Sequence, residues 1–126
     1  MKKTLLLALL LSTSAFAAPS EAFWRALHKV ETGGRVGPIR SSSGALGPLQ
    51  IKREYFIDSR VKGSYSQVSD LAFARKVAEA YFKRYAPEAY RKGDAFTLAR
   101  VHNGGPSGHR RSSTLAYGRK VLNAMK

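Results

Sequence analysis

The chain has no cysteine among its 126 residues. That excludes disulfides, thiolate metal sites and a cysteine nucleophile, so packing must carry its stability. Acidic residues are scarce, with 8 Asp and Glu against 22 Lys and Arg. The three histidines, His28, His102 and His109, lack a ligand spacing such as H-E-x-x-H. Neither a metal site nor a cofactor is expected. No apolar run approaches the ~20 residues that a membrane span needs, and there is no internal repeat or low-complexity tract.

What is present at the N-terminus has the layout of a secretory signal peptide. Lys2 and Lys3 precede an apolar run from Leu5 to Leu11, and Ala15-Phe16-Ala17 supplies an A-x-A cleavage signal. Residues 1–17 are read as that peptide and residues 18–126 as one domain, long enough to fold without staples. The expected location is the periplasm or the cell exterior, with no stable membrane anchor. Without Lys2 and Lys3, 20 basic residues face 8 acidic ones, a net charge of +12 with histidine neutral. Such a charge draws a protein toward polyanions, which outside the cytoplasm include cell-wall polymers. The basic residues are dispersed and form no nucleic-acid-binding motif, so nucleic acid is not an expected partner. A monomer is expected.

The pattern of the domain is mainly helical. Ser20 can cap a first helix, along which Phe23, Leu27 and Val30 form an apolar stripe that ends at Gly33-Gly34. Residues 33–47 are rich in Gly and Ser and read as a loop, with a faint hairpin signal near residues 36–46. Pro48 suits the first turn of a short helix through Leu49, Ile51 and Tyr55. Asp70 or Ser69 caps the longest helix, from Leu71 to Tyr85, which stops at Pro87. Asp94 caps the next, closed by Gly104-Gly105-Pro106, and Ser112 or Ser113 starts the last.

Glu31 is the most informative single residue. It lies 4 after Leu27 and 8 after Phe23, and so projects from the apolar stripe. Desolvation on that face would favour the protonated carboxyl, the property a general acid needs. Position alone fits equally a solvated carboxylate at a helix end.

The segments around and after it decide between these. They run Glu31-Thr32-Gly33, then Gly47-Pro48-Leu49-Gln50-Ile51-Lys52-Arg53-Glu54-Tyr55-Phe56-Ile57-Asp58, and Lys83-Arg84-Tyr85. Next come Ala99-Arg100-Val101-His102-Asn103-Gly104-Gly105-Pro106-Ser107-Gly108 and Ser113-Thr114-Leu115-Ala116-Tyr117. In this order the blocks resemble those of the invertebrate-type lysozymes: E-[ST]-G, G-P-x-Q-I-K-x-x-Y-[WF]-I-D, K-R-Y, A-R-x-H-N-G-G-P-x-G and S-T-L-x-Y. The resemblance spans roughly residues 24 to 122. It implies a lysozyme-like, mainly helical fold with a substrate cleft. It also implies hydrolysis of the β-1,4 bond between N-acetylmuramic acid and N-acetylglucosamine in peptidoglycan, with Glu31 as general acid. Gln50, Tyr55, His102 and Asn103 match cleft positions and would contact sugar. Ser41 and Ser42 join them as candidates to bind substrate or hold water.

Two features depart from the family pattern. Ser59 and His109 stand where cysteines are usual, which points to bacterial rather than animal origin. The aspartate that normally precedes the G-P-x-Q-I block is missing, its stretch reading Arg40-Ser41-Ser42-Ser43-Gly44. Two-carboxylate hydrolysis needs a second group within ~5 to ~10 Å of the acid, and Glu54 and Asp58 are the nearest later candidates. The same stretch, S-x-x-G-A-x-G-x-x-Q-I after E-[ST]-G, also resembles lytic transglycosylases. Those enzymes use one glutamate and form anhydro products. The C-terminal blocks favour the muramidase. A third reading is a basic wall-binding protein on a retired lysozyme fold.

Overall fold

The computed structural model describes residues 18–126; the signal-peptide reading falls on residues outside it. Helix α1 spans Glu21–Thr32. The Ser20 hydroxyl accepts from the Phe23 N–H at 3.2 Å, and Gly33 ends the helix in the left-handed region at φ 68°. Helix α2 covers Arg53–Ser59, followed by a 3-10 turn at Tyr65–Ser69. The longest helix, α3 (Leu71–Tyr85), is capped by Asp70, which accepts from the Phe73 N–H at 2.9 Å. Helix α4 is Pro87–Lys92, α5 is Ala95–Gly104 with Asp94 as its cap, and α6 is Leu115–Ala124.

Helix α5 runs through the centre. It packs on α6 and also touches α3 and α4, while α1 rests on α6 and α2 on α3. Leu98, Ala99 and Val101 from α5 are fully buried with Leu27, Val77, Phe82 and Val121. Phe23, Trp24 and Phe82 meet at ring separations of 5.2 to 6.1 Å in edge-on and tilted arrangements. Each large apolar side chain buried here stabilises the fold by about 1.5–3 kcal/mol relative to exposure. That packing occupies the place of disulfides. Ser59, where the family usually has cysteine, holds the end of α2 instead: its hydroxyl donates to Phe56 O at 2.6 Å and accepts from the Val61 N–H.

Two local expectations need correction, and one helix went unsignalled. Pro48 does not begin a helix. Leu46 and Ile51 exchange both backbone hydrogen bonds, at 3.0 and 2.9 Å, closing a tight turn over residues 47–50, and α2 starts only at Arg53. Pro87 stops α3 but also opens α4, a helix the sequence pattern did not signal, because proline fits a first helical turn as readily as it ends a preceding helix. Ser112 begins a 3-10 turn, and the last α-helix starts at Leu115. The hairpin signal near residues 36–46 corresponds to a single antiparallel bridge, Arg40 to Leu46.

Candidate active site

Glu31 sits in the last turn of α1 with its side chain 17% exposed. The next residue fixes this helix end against the neighbouring loop: Thr32 is buried and its hydroxyl donates to Pro48 O at 2.9 Å. Glu31 faces a cleft of about 660 Å³. One wall is the segment from Ser41 to Tyr55, including Ser43, Gln50, Lys52 and Glu54. The other runs from His102 through Asn103 and Gly105 to Arg111 and Thr114.

The first wall is built on glycine. Gly47 has φ 85°, and a Cβ there would lie 2.1 Å from Val68 O. Only glycine allows the 47–50 turn to approach so closely. Gln50, also at positive φ, spends its amide N–H groups on Ile39 O and Gly47 O, at 3.1 and 3.0 Å. The hydroxyls of Ser41 and Ser43 lie 2.9 Å apart, and Ser41 Oγ also accepts from the Ala45 N–H.

The second wall carries a buried polar chain behind the cleft floor. His102 Nε2 lies 2.9 Å from Leu49 O, a carbonyl that can only accept, so the ring proton is on Nε2. Nδ1 is then an acceptor, and the Tyr55 hydroxyl donates to it at 2.9 Å. Burial holds the His102 pKa below its ordinary value, outweighing the opposite pull of Glu31. The ring is therefore neutral at neutral pH. Its 3.5 Å approach to Glu31 Oε2 is a dipole facing a carboxyl, not an ion pair. The Tyr55 ring stacks on Tyr81 at 3.8 Å with only 10° between planes. Burial pushes the Tyr55 hydroxyl well above its ordinary range and that of Tyr81 up to about 12, so both stay protonated donors.

Of the residues singled out from sequence, Glu31, Ser41, Gln50, Glu54, Tyr55, His102 and Asn103 line this one cleft. Asn103 is exposed there, whereas Tyr55 and His102 are buried and turn their polar atoms inward. Ser42 and Asp58 do not line the cleft; the charge of Asp58 acts on the Tyr81 hydroxyl instead. Sequence reasoning missed Tyr81, and it missed Tyr117, whose hydroxyl donates to Glu31 Oε2 from α6. The one signal for Tyr117 was its place at the end of the S-T-L-x-Y block.

This mainly helical domain, with a half-buried glutamate lining a polar cleft, is lysozyme-like in fold. No family model matches the chain. It is 36% identical to Lysozyme 1 of Crassostrea virginica over 108 residues, 81% of this chain and 58% of that protein. It is 39% identical to the invertebrate-type lysozyme of Ruditapes philippinarum over 95 residues, 71% of this chain and 69% of that one. The crystal structure of Tapes japonica lysozyme superposes with a TM-score of 0.68 at 35% identity, covering 83% of this chain and 92% of that chain. The chain belongs to the invertebrate-type lysozyme family. It spans little more than half the length of the Crassostrea protein.

Proposed function

We propose that the chain is a muramidase that hydrolyses the β-1,4 bond between N-acetylmuramic acid and N-acetylglucosamine in peptidoglycan. The observation that carries this is Glu31, on a packed helix and lining the polar cleft, in a chain of lysozyme ancestry. Glu31 donates its proton to the glycosidic oxygen as the bond breaks. Cleft residues Gln50, Asn103, Ser41 and Ser43 offer hydrogen-bonding groups to hydroxyls and N-acetyl arms.

Of the two later carboxylates, Glu54 is favoured as the second group. It lines the cleft with Glu31, and Asp58 does not. In this reading Glu54 serves the water that attacks the sugar, and the paired hydroxyls of Ser41 and Ser43 help to hold that water. Hydrolysis is favoured over transglycosylation and over a non-catalytic wall-binding role by the lysozyme relatives. Residues 1–17 would act as a cleaved export signal, placing a monomeric enzyme of residues 18–126 in the periplasm or outside the cell.

Mass spectrometry of soluble fragments from purified peptidoglycan tests the proposal. The protein releases fragments with free reducing ends, Glu31→Gln releases none, and Glu54→Gln is slowed by at least about 100-fold. Anhydro products would replace hydrolysis with transglycosylation. No fragments at all from the parent protein would leave wall binding as the function.

A further inference from the structure

The two oxygens of the Glu31 carboxyl have different surroundings. Tyr117, on α6 and 86 residues away in sequence, donates its hydroxyl hydrogen to Oε2. The Nε2 edge of His102, which carries the ring proton, lies 3.5 Å from the same oxygen. Among the described residues nothing hydrogen-bonds Oε1. With the Nε2 proton given to Leu49 O, the donor to Oε2 is the Tyr117 hydroxyl, and an oxygen that already accepts from a hydroxyl is the poorer place for a proton, because O–H would then oppose O–H. The proton of the neutral acid is thereby driven to Oε1.

From this geometry we infer that Tyr117 is a positioning residue for the acid step. It pins Oε2 from behind, turns Oε1 toward the cleft and fixes the proton on the oxygen that faces substrate. The inference rests on Glu31 being the acid, but not on the bond it cleaves. Tyr117 is suited to the task. Burial pushes its hydroxyl well above the ordinary phenol range, with the charge of Glu31 adding to the effect, so it stays a donor throughout the working range. Its helix is held by Val121, which is fully buried, and by the packing of α6 on both α1 and α5. Gly118 allows that packing, since a Cβ there would lie 2.7 Å from the Phe96 ring. The hydroxyl is thus carried on a rigid element rather than on a loop.

Removing the hydroxyl frees the carboxyl to rotate and removes a donor that favours its ionised form. Tyr117→Phe is expected to lower kcat by about 10- to 100-fold with KM nearly unchanged. The alkaline limb of the pH–rate profile should move to higher pH, because the acid now keeps its proton longer. Incorporating 3-fluorotyrosine at position 117 preserves shape but strengthens the donor, and should move that limb the other way. A structural role alone would shift neither limb.

A second readout does not need turnover. The carbon-13 resonance of the labelled Glu31 carboxyl, followed against pH by NMR, should reach its midpoint at higher pH in Tyr117→Phe than in the parent. Coincident midpoints and unchanged kcat would overturn the inference. A parent protein that cleaves nothing while its midpoint still moves in the variant would defeat the muramidase reading and leave the positioning role standing.

Discussion

The hydroxyl of Tyr55 donates to Nδ1 of His102 at 2.9 Å, joining α2 to α5 across 47 residues of sequence. With Nε2 bound to Leu49 O, both ring nitrogens are committed and the imidazole has no place for a second proton. Protonating it would set an N–H against the Tyr55 hydrogen in a buried setting.

Stability should therefore fall on mild acidification. The folded pKa of His102 lies below its usual 6.5 because of burial. The unfolded chain thus takes up the proton first as pH drops. The contribution of neutral His102 is fully present above about pH 6.5 and is lost as pH falls through the lower folded value. Thermal melts at pH 7 and pH 5 should show a drop in Tm for the parent and a smaller drop for His102→Gln. Equal drops in both would remove His102 as the cause. Exposed ion pairs such as Glu21 with Arg75 act in a different window, because the Glu21 carboxyl is held below the usual carboxylate range by Arg75.

Gly47→Ala should damage both fold and cleft. The new methyl would meet Val68 O and would force alanine into positive φ. Strain of this kind costs about 1–3 kcal/mol before the clash is counted. Urea denaturation should register a loss of at least that size, and activity should fall with it, because the 47–50 turn carries Gln50.

Thr114→Val tests the opposite wall. The buried Thr114 hydroxyl donates to Gly108 O at 2.6 Å and accepts from Arg100 Nε at 2.8 Å. Valine keeps the shape but leaves Arg100 Nε without its acceptor and Gly108 O with only the Arg111 N–H, at a cost of about 1–3 kcal/mol. A chemical-denaturation midpoint unchanged from the parent would show that water replaces the hydroxyl.

Salt should separate binding from chemistry. With 22 basic and 8 acidic residues in the whole chain, attraction to anionic walls is long-ranged. The screening length contracts from about 10 Å at 0.1 M salt to about 3 Å at 1 M. Sedimentation of the protein with intact wall should decline steeply over that range. Cleavage of a short neutral N-acetylglucosamine oligomer, if it occurs, should change far less.

What the sequence disclosed was local. Ser20, Asp70 and Asp94 signal their helices because a cap is read from the residue and the few that follow it, and all three accept the expected backbone N–H. Pro48 was misread, and the helix that Pro87 opens went unsignalled, for a related reason. A proline restricts its own φ, but whether a turn or a helix follows depends on partners far away, here the side chains of Thr32 and His102 that bond Pro48 O and Leu49 O. Glu31 stood out through its place on the apolar stripe and the blocks that follow it. Tyr117 did not, since its meaning lies in a hydrogen bond across 86 residues. The separation of Glu54 from Asp58 was equally hidden: they are one helical turn apart in sequence, yet only Glu54 lines the cleft.

The span between Glu31 and Tyr117 bears on how the molecule comes into being. Contacts that close such long loops are slow to form, because the entropy of closure must be overcome before the contact itself gives anything back. Tyr117 lies in the first turn of α6, which spans Leu115–Ala124. During synthesis, α1 and its glutamate exist long before their partner does. A nascent chain that has not yet reached Tyr117 cannot hold the carboxyl in its finished setting, so the residue that arms Glu31 is made 86 positions after the glutamate itself.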